Sequence, residues 1–316
     1  SYCTILVTKE AVAQTLHCWK LPVLKNDFMP RSKIDGIGDY VTGQVVTNEE
    51  LKQYMDTSEE LIQERTGIKE LRYAKPEGET TTTMGLEAAK IAIERAGITA
   101  QDIDFIVFAT LSPDYYFPGC GVLLQRAMQM KEVGALDVRH QCSGFIYALS
   151  VAAPFIKTGL YKNILVVGSE KHSFSLDFST SGRYVSVIFG DGAGAVVLQP
   201  TLKDGQGILS THLHSDGASA EILAMFNPGT HANHWLSEPV AKFDKAEIGQ
   251  MFMSQDMIDE AQNFPNMDGP AVFKKAIVKM PAVVEEALSA NNLTTATINM
   301  LIPHQANLRF AKLSHQ

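Results

Sequence analysis

Cysteine is scarce in this 316-residue chain, and the four present (Cys3, Cys18, Cys120 and Cys142) form no CxxC pair and no metal-like spacing with histidine. An evenly spaced disulfide framework is therefore not expected, and a reducing cytoplasm is. Basic clustering is missing too: the formal net charge is −8, with Lys and Arg scattered, which argues against a broad nucleic-acid-binding face. No apolar run reaches the roughly 20 residues needed to span a bilayer; the longest uncharged one runs from Cys142 to Ile156. Lys9 and His17 interrupt any basic-then-apolar signal layout at the start. What remains is a chain with 45% hydrophobic residues, enough for a large core in one or two domains.

Residues 1–31 have no clear period and are expected to form an N-terminal extension. From Ser32 onward, strand and helix signals alternate, predicting an α/β fold. Asp104–Thr110, Ala135–Val138 and Asn163–Gly168 are short apolar runs of the kind that make buried parallel strands. Thr82–Ala96 places Met84, Ala88, Ile91 and Ala92 on one helical face, with Gly97 as a stop signal. Ser143–Ile156 is apolar nearly all round and is expected to lie between layers. Tyr184–Phe189 and Gly194–Leu198 are predicted strands joined by a hairpin at Gly190–Ala193. One half (32–205) ends there. The pattern restarts at Gly207, reaches a helix at Val272–Ala290 that Pro281 should kink or split, and finishes in a buried strand at Ile298–Pro303. Residues 206–316 are the second half.

Cys142 stands between a predicted strand and a helix start, where partial positive charge and free amide donors favour a thiolate. A buried structural cysteine is the competing reading. His304 follows the last predicted strand, the end at which sites of open α/β sheets gather, though a structural histidine fits there too. The Gly190–Gly194 loop lacks the strand–loop–helix setting of a dinucleotide fingerprint. His212 and His214 share a strand face but lack a third ligand, so no metal site is expected. His231 and His234 fall in a loop and carry no signal. Lys274, Lys275 and Lys279, with Arg309 and Lys312, read from spacing alone as solvated faces.

Together the stretches Asp56-Thr57-Ser58, Arg65-Thr66-Gly67-Ile68, Phe117-Pro118, Asp137-Val138 and Cys142-Ser143-Gly144-Phe145 form an ordered set. It continues with Val167-Gly168-Ser169, Phe189 to Ala195, His212 to Gly217 and Pro303-His304-Gln305-Ala306-Asn307-Leu308-Arg309. From about Ser32 onward the chain resembles the β-ketoacyl-acyl-carrier-protein synthase III family. That resemblance implies a thiolase fold, with two similar α/β halves in five αβαβα layers. It implies that Cys142 takes an acyl group from acyl-CoA and condenses it with malonyl carried on acyl carrier protein, losing carbon dioxide. His304 would stabilise the enolate, and no cofactor or metal would be needed. Arg65 and Arg183 would meet the nucleotide of coenzyme A. Thr57, Phe273 and Asn307 would line the pantetheine tunnel, and Phe189 would border the acyl pocket. Phe117 would reach across a homodimer interface. Gln305, Ala306, Asn307, Leu308 and Arg309, with Lys274, would dock the carrier protein.

Four departures stand out. Leu61 replaces a tryptophan common in the family, removing an aromatic from under the adenine. Arg139-His140-Gln141 replaces the small residues usual before the nucleophile. The stretch 227–270 is longer than usual. The family's further asparagine and Gly-rich segment do not follow His304, so an incomplete second half is expected. A thiolase-like acyltransferase without decarboxylation and a non-catalytic acyl-binding partner subunit stay open as alternatives.

Overall fold

The computed structural model describes residues 29–229, 253 and 255–308. Most of the expected extension, much of the 227–270 stretch, His231, His234, Arg309 and Lys312 lie outside the described residues.

The first elements are β1 (Arg31–Val41), β2 (Gln44–Thr47), α1 (Asn48–Leu51), α2 (Glu59–Thr66), β3 (Glu70–Tyr73) and α3 (Thr81–Arg95). Then come β4 (Phe105–Ala109), α4 (Cys120–Ala127), β5 (Gly134–Val138), α5 (Gly144–Lys157), β6 (Ile164–Lys171), α6 (Arg183–Ser186) and β7 (Asp191–Thr201). After these lie β8 (Leu223–Ala224), α7 (Gln255–Asp259), β9 (Asn266–Met267) and α8 (Gly269–Ala290). Five strands form one sheet in the order β1-β7-β6-β4-β5. β4 pairs in parallel with both β5 and β6, while β7 runs antiparallel to β6 and β1.

The twofold alternation of side chains along a strand divides the core in two. Ile106, Phe108, Leu165 and Val167 point to one face, where they meet Ala88, Ala89 and Ala92 of α3 and Leu124 of α4. Val107, Ala109, Ile164 and Val166 point to the other, against Ala148, Ala152 and Ile156 of α5. Small residues let α3 ride close to the sheet. A Cβ on Gly36 or Gly38 would stand 1.9 or 2.0 Å from the Ala92 or Ala88 carbonyl oxygen. Thr80 caps α3, its hydroxyl accepting from the Thr83 amide, the kind of local bond that starts a helix.

Several sequence expectations are corrected. Tyr184–Phe189 is not a strand: the Gly182 carbonyl accepts from the Val185 and Ser186 amides and opens the short helix α6. The Gly190–Ala193 hairpin is absent as well. Gly192 and Gly194 lie inside β7, and Asp191 accepts from the Ala74 amide (2.7 Å) and the Ser173 amide (2.9 Å). The motif ties three segments together instead of reversing the chain. Pro281 does not split α8, which runs unbroken from Gly269 to Ala290. Among the described residues α5 fully buries the stripe Gly144, Ala148, Ala152 and Ile156, with Phe145, Leu149 and Phe155 half-buried beside it.

The predicted strands after Gly207 and at Ile298–Pro303 are unpaired stretches, with Met300 and Ile302 exposed. A strand owes its ladder and its burial to a neighbour, and neither stretch has one among the described residues. The boundary drawn at 205/206 falls in the turn after β7, where Gly205 takes φ +70°. No described helix is long and apolar enough to cross a membrane.

Candidate active site

Two of the cysteines occupy similar places, each at the start of a helix that follows a strand, and they differ in access. Cys120 opens α4 and is fully buried, and burial pushes its thiol up to about 11. It is a structural residue. Asp137 of β5 serves that same helix start, accepting from the Cys120 amide (2.5 Å) and the Gly121 amide (2.9 Å).

Cys142 lies five residues further on and is exposed. After Val138 the chain leaves the carboxyl end of β5 and turns tightly, the Gly144 amide donating to the Gln141 carbonyl at 2.7 Å. Cys142 and Ser143 occupy the two central positions of that turn, and α5 begins at once. The thiol is open to solvent on one side and walled by protein on the other. The wall pushes its pKa up, its own backbone amide opposes that by donating to the sulfur, and the Glu170 carboxylate adds to the rise. The helix start therefore does not yield a resting thiolate, contrary to the expectation from sequence: desolvation outweighs the amide donor. Glu170 on β6 accepts from the Leu111 amide (2.8 Å), the Ser112 hydroxyl (2.5 Å) and the Thr110 hydroxyl (3.2 Å).

His304 follows Pro303 in the unpaired stretch after α8, and crowding by protein holds its imidazole below the ordinary histidine range. It is neutral at pH 7, with one ring nitrogen to donate and one to accept. The next residues turn back onto the first half. Asn307 Nδ2 donates to the Arg65 carbonyl at 2.8 Å, and Leu308 packs where a Cβ on Gly67 (φ +78°) would stand. Gln305 is exposed, Ala306 half-buried, and Lys274 and Phe273 are exposed and half-buried on α8.

The arginines expected at a nucleotide converge. Arg183 donates to the Tyr184 hydroxyl at 3.1 Å, and Arg65 donates to the same oxygen, so the phenol lies below its usual range. Arg183 also donates to the Asp56 carbonyl at 2.7 Å, beside half-buried Thr57, and stacks over the Tyr184 ring at 5.0 Å. Two guanidinium groups therefore meet at one phenol oxygen. Phe189 meets His172 edge-on at 4.9 Å and packs on the cluster around Leu71, Leu176 and Val187. Phe117 is 81% exposed. His212 and His214 both reach Glu286 of α8, at 3.0 and 2.6 Å. Among the described residues no group of His, Cys, Asp and Glu is disposed to hold a metal ion. Sequence reasoning gave no role to Tyr184, Glu170 or Tyr147; Tyr184 had a signal, since it adjoins the expected Arg183.

The model of the 3-oxoacyl-(acyl-carrier-protein, ACP) synthase III family matches residues 136–217, which hold Asp137, Cys142, Arg183 and Asp191. The chain is 39% identical over 285 residues to the β-ketoacyl-(acyl-carrier-protein) synthase III of Ehrlichia canis, covering 90% of this chain and 80% of that one. It is 41% identical to the enzyme of that name from Rhodospirillum centenum, over 88% of this chain and 78% of the relative. Among solved structures, the 3-oxoacyl-(acyl-carrier-protein) synthase III of Aquifex aeolicus superposes with a TM-score of 0.74 at 36% identity, over 90% of this chain and 79% of that one. The priming β-ketosynthase of the R1128 polyketide pathway superposes with a TM-score of 0.76 at 30% identity, over 93% and 80%.

Proposed function

This chain belongs to the β-ketoacyl-(acyl-carrier-protein) synthase III family, and from that premise we propose how its own residues carry the family's reaction. It is a thiolase-fold condensing acyltransferase that joins an acyl-CoA starter to malonyl-acyl carrier protein, initiating fatty-acid or related polyketide synthesis. One observation carries the assignment of the nucleophile: among the described residues Cys142 is the accessible thiol, between the carboxyl end of a parallel strand and the start of a helix, while Cys120, which opens α4, is buried.

The solvent-exposed Cys142 thiol gives its proton to water and attacks the thioester carbonyl carbon of acyl-CoA as the thiolate. The oxyanion that forms is met by the Cys142 amide at the start of α5, whose fixed donor stabilises charge as it develops. The carbonyl re-forms, the coenzyme A thiolate leaves and takes up a proton, and the acyl group stays on sulfur. Arg65 and Arg183 hold the phosphates during this half, with Thr57, Phe273 and Asn307 along the pantetheine arm and Phe189 against the acyl chain. Malonyl on its carrier then enters over Gln305, Ala306, Asn307, Leu308, Arg309 and Lys274, where the cations attract an acidic partner. Carbon dioxide leaves, and the electron pair of the broken bond becomes an enolate whose oxygen accepts a hydrogen bond from neutral His304. The enolate carbon attacks the Cys142 thioester, giving β-ketoacyl carrier protein and freeing the cysteine. All the reactive groups come from the two thioesters and the side chains, so this scheme calls on no cofactor. A free, working thiol suits a cytoplasmic setting.

Peptide mapping by mass spectrometry tests the scheme. Acetyl-CoA should leave an acetyl group on Cys142, and malonyl-acyl carrier protein should remove it with release of carbon dioxide. Removal by a second acyl-CoA instead would identify a thiolase-like acyltransferase. An unmodified Cys142 with acyl-CoA bound would identify a binding subunit.

We also propose a homodimer. Among the described residues β5 is a sheet edge with Leu136 exposed, and Phe117 is exposed as well; an unpaired edge of this kind is a template for a second copy. Leu136→Lys should turn a dimer into a monomer by sedimentation equilibrium. An unchanged mass would place the interface elsewhere.

A further inference from the structure

Arg139-His140-Gln141 precede the nucleophile, and the structure places the middle one against the nucleophile turn. Ser143 stands at the N-cap of α5, where a serine hydroxyl ordinarily turns inward to accept from the second or third helical amide. Here it makes no such bond. Its Oγ lies 3.1 Å from His140 Nδ1, within hydrogen-bond reach. The His140 ring then lies flat on Tyr147, one turn into the helix, with centroids 3.9 Å apart and planes inclined by 21°. Tyr147 faces in turn the residues after Gly207, its hydroxyl 3.5 Å from the His214 carbonyl and the Ser215 hydroxyl.

We propose that His140 is a positioning residue for the nucleophile: its imidazole draws the Ser143 hydroxyl away from the helix start and clamps the Cys142 turn onto Tyr147. This inference rests on the reading of Cys142 as the acylated residue. One consequence follows from the geometry. With the loop held at both His140 contacts, the turn keeps one conformation, and reactive groups held near attack geometry gain rate that a loose loop forfeits.

The test uses the full chain and two readouts. The first is amide hydrogen exchange across residues 139–147, which needs no turnover. The second is the single-turnover rate of acetyl transfer from acetyl-CoA to Cys142. His140→Ala should lower exchange protection of the Gly144, Ile146 and Tyr147 amides at least about tenfold and slow acetyl loading by roughly 10- to 100-fold, with the thermal melting point unchanged. His140→Asn, which keeps a polar atom near the Nδ1 position, should recover part of the loading rate. Ser143→Ala placed on top of His140→Ala should add little, because the two residues share one hydrogen bond. Exchange protection that stays as in the unaltered chain would overturn the proposal, and so would effects of the two substitutions that simply multiply. Acetyl found on a residue other than Cys142 would sink the nucleophile reading instead, an outcome distinct from both.

Discussion

Cys142→Ala is expected to abolish acyl loading, with condensation falling by on the order of 10⁴-fold or more. The sulfur is the only atom that forms the covalent intermediate, and alanine offers nothing in its place. The same cysteine makes a pH prediction. Its thiol is raised above the ordinary value of 9.0, so the thiolate is under about one per cent of the population at pH 7. Alkylation of Cys142 by iodoacetamide should therefore climb about tenfold per pH unit up to and past pH 9. A plateau near neutrality would mean that an unrecognised base or cation depresses the thiol. Cys120→Ala should leave loading intact, because that thiol is sealed in the core and touches no substrate.

His304→Ala should separate the two halves of the reaction. Acetyl transfer to Cys142 should persist, because the imidazole acts after the first thioester has been exchanged. Decarboxylative condensation should fall by roughly 10²–10⁴-fold. His304→Gln retains a hydrogen-bond donor of similar reach and should regain part of that loss. Carbon dioxide release from labelled malonyl-acyl carrier protein measures it directly. Equal loss of loading and condensation in His304→Ala would assign the residue to the first step or to the fold.

The parallel core was legible because apolar runs such as Phe105–Ala109 are buried on both faces and need no partner information to be recognised. α3 was legible for a related reason: its alanine stripe repeats at helical spacing. Tyr184–Phe189 misled because its alternation is strand-like, while the Gly182 carbonyl collects two amides and starts a helical turn that periodicity does not register. The stretch Ile298–Pro303 has strand composition and lacks a paired neighbour among the described residues, so its composition alone could not predict its state. In the site, Cys142 and His304 were visible as residue types at strand ends, and Arg65 and Arg183 through the resemblance. Their meeting at Tyr184 depends on side chains from α2 and α6 reaching one oxygen, a contact that spacing along the chain does not encode. The upward shift of Cys142 was invisible for the same reason, since desolvation is set by residues distant in sequence.

The pairing of β1 with β7 has a consequence for how the molecule comes into being. The register joins Arg31 to Thr201, so the first strand of the five-stranded sheet waits for the one that comes last in sequence. At roughly 5–20 residues per second of synthesis, β1 spends on the order of ten seconds without its ladder. The Gly36 and Gly38 seat for α3 cannot be trusted to hold it earlier, because a lone strand gains no hydrogen bonds. Assembly should therefore begin among β4, β5 and β6 with their crossover helices and finish when the amino-terminal strand zips onto β7. Pulse-labelled hydrogen exchange during refolding should find the β1 amides protected last; early protection there would place the nucleus at the chain's start.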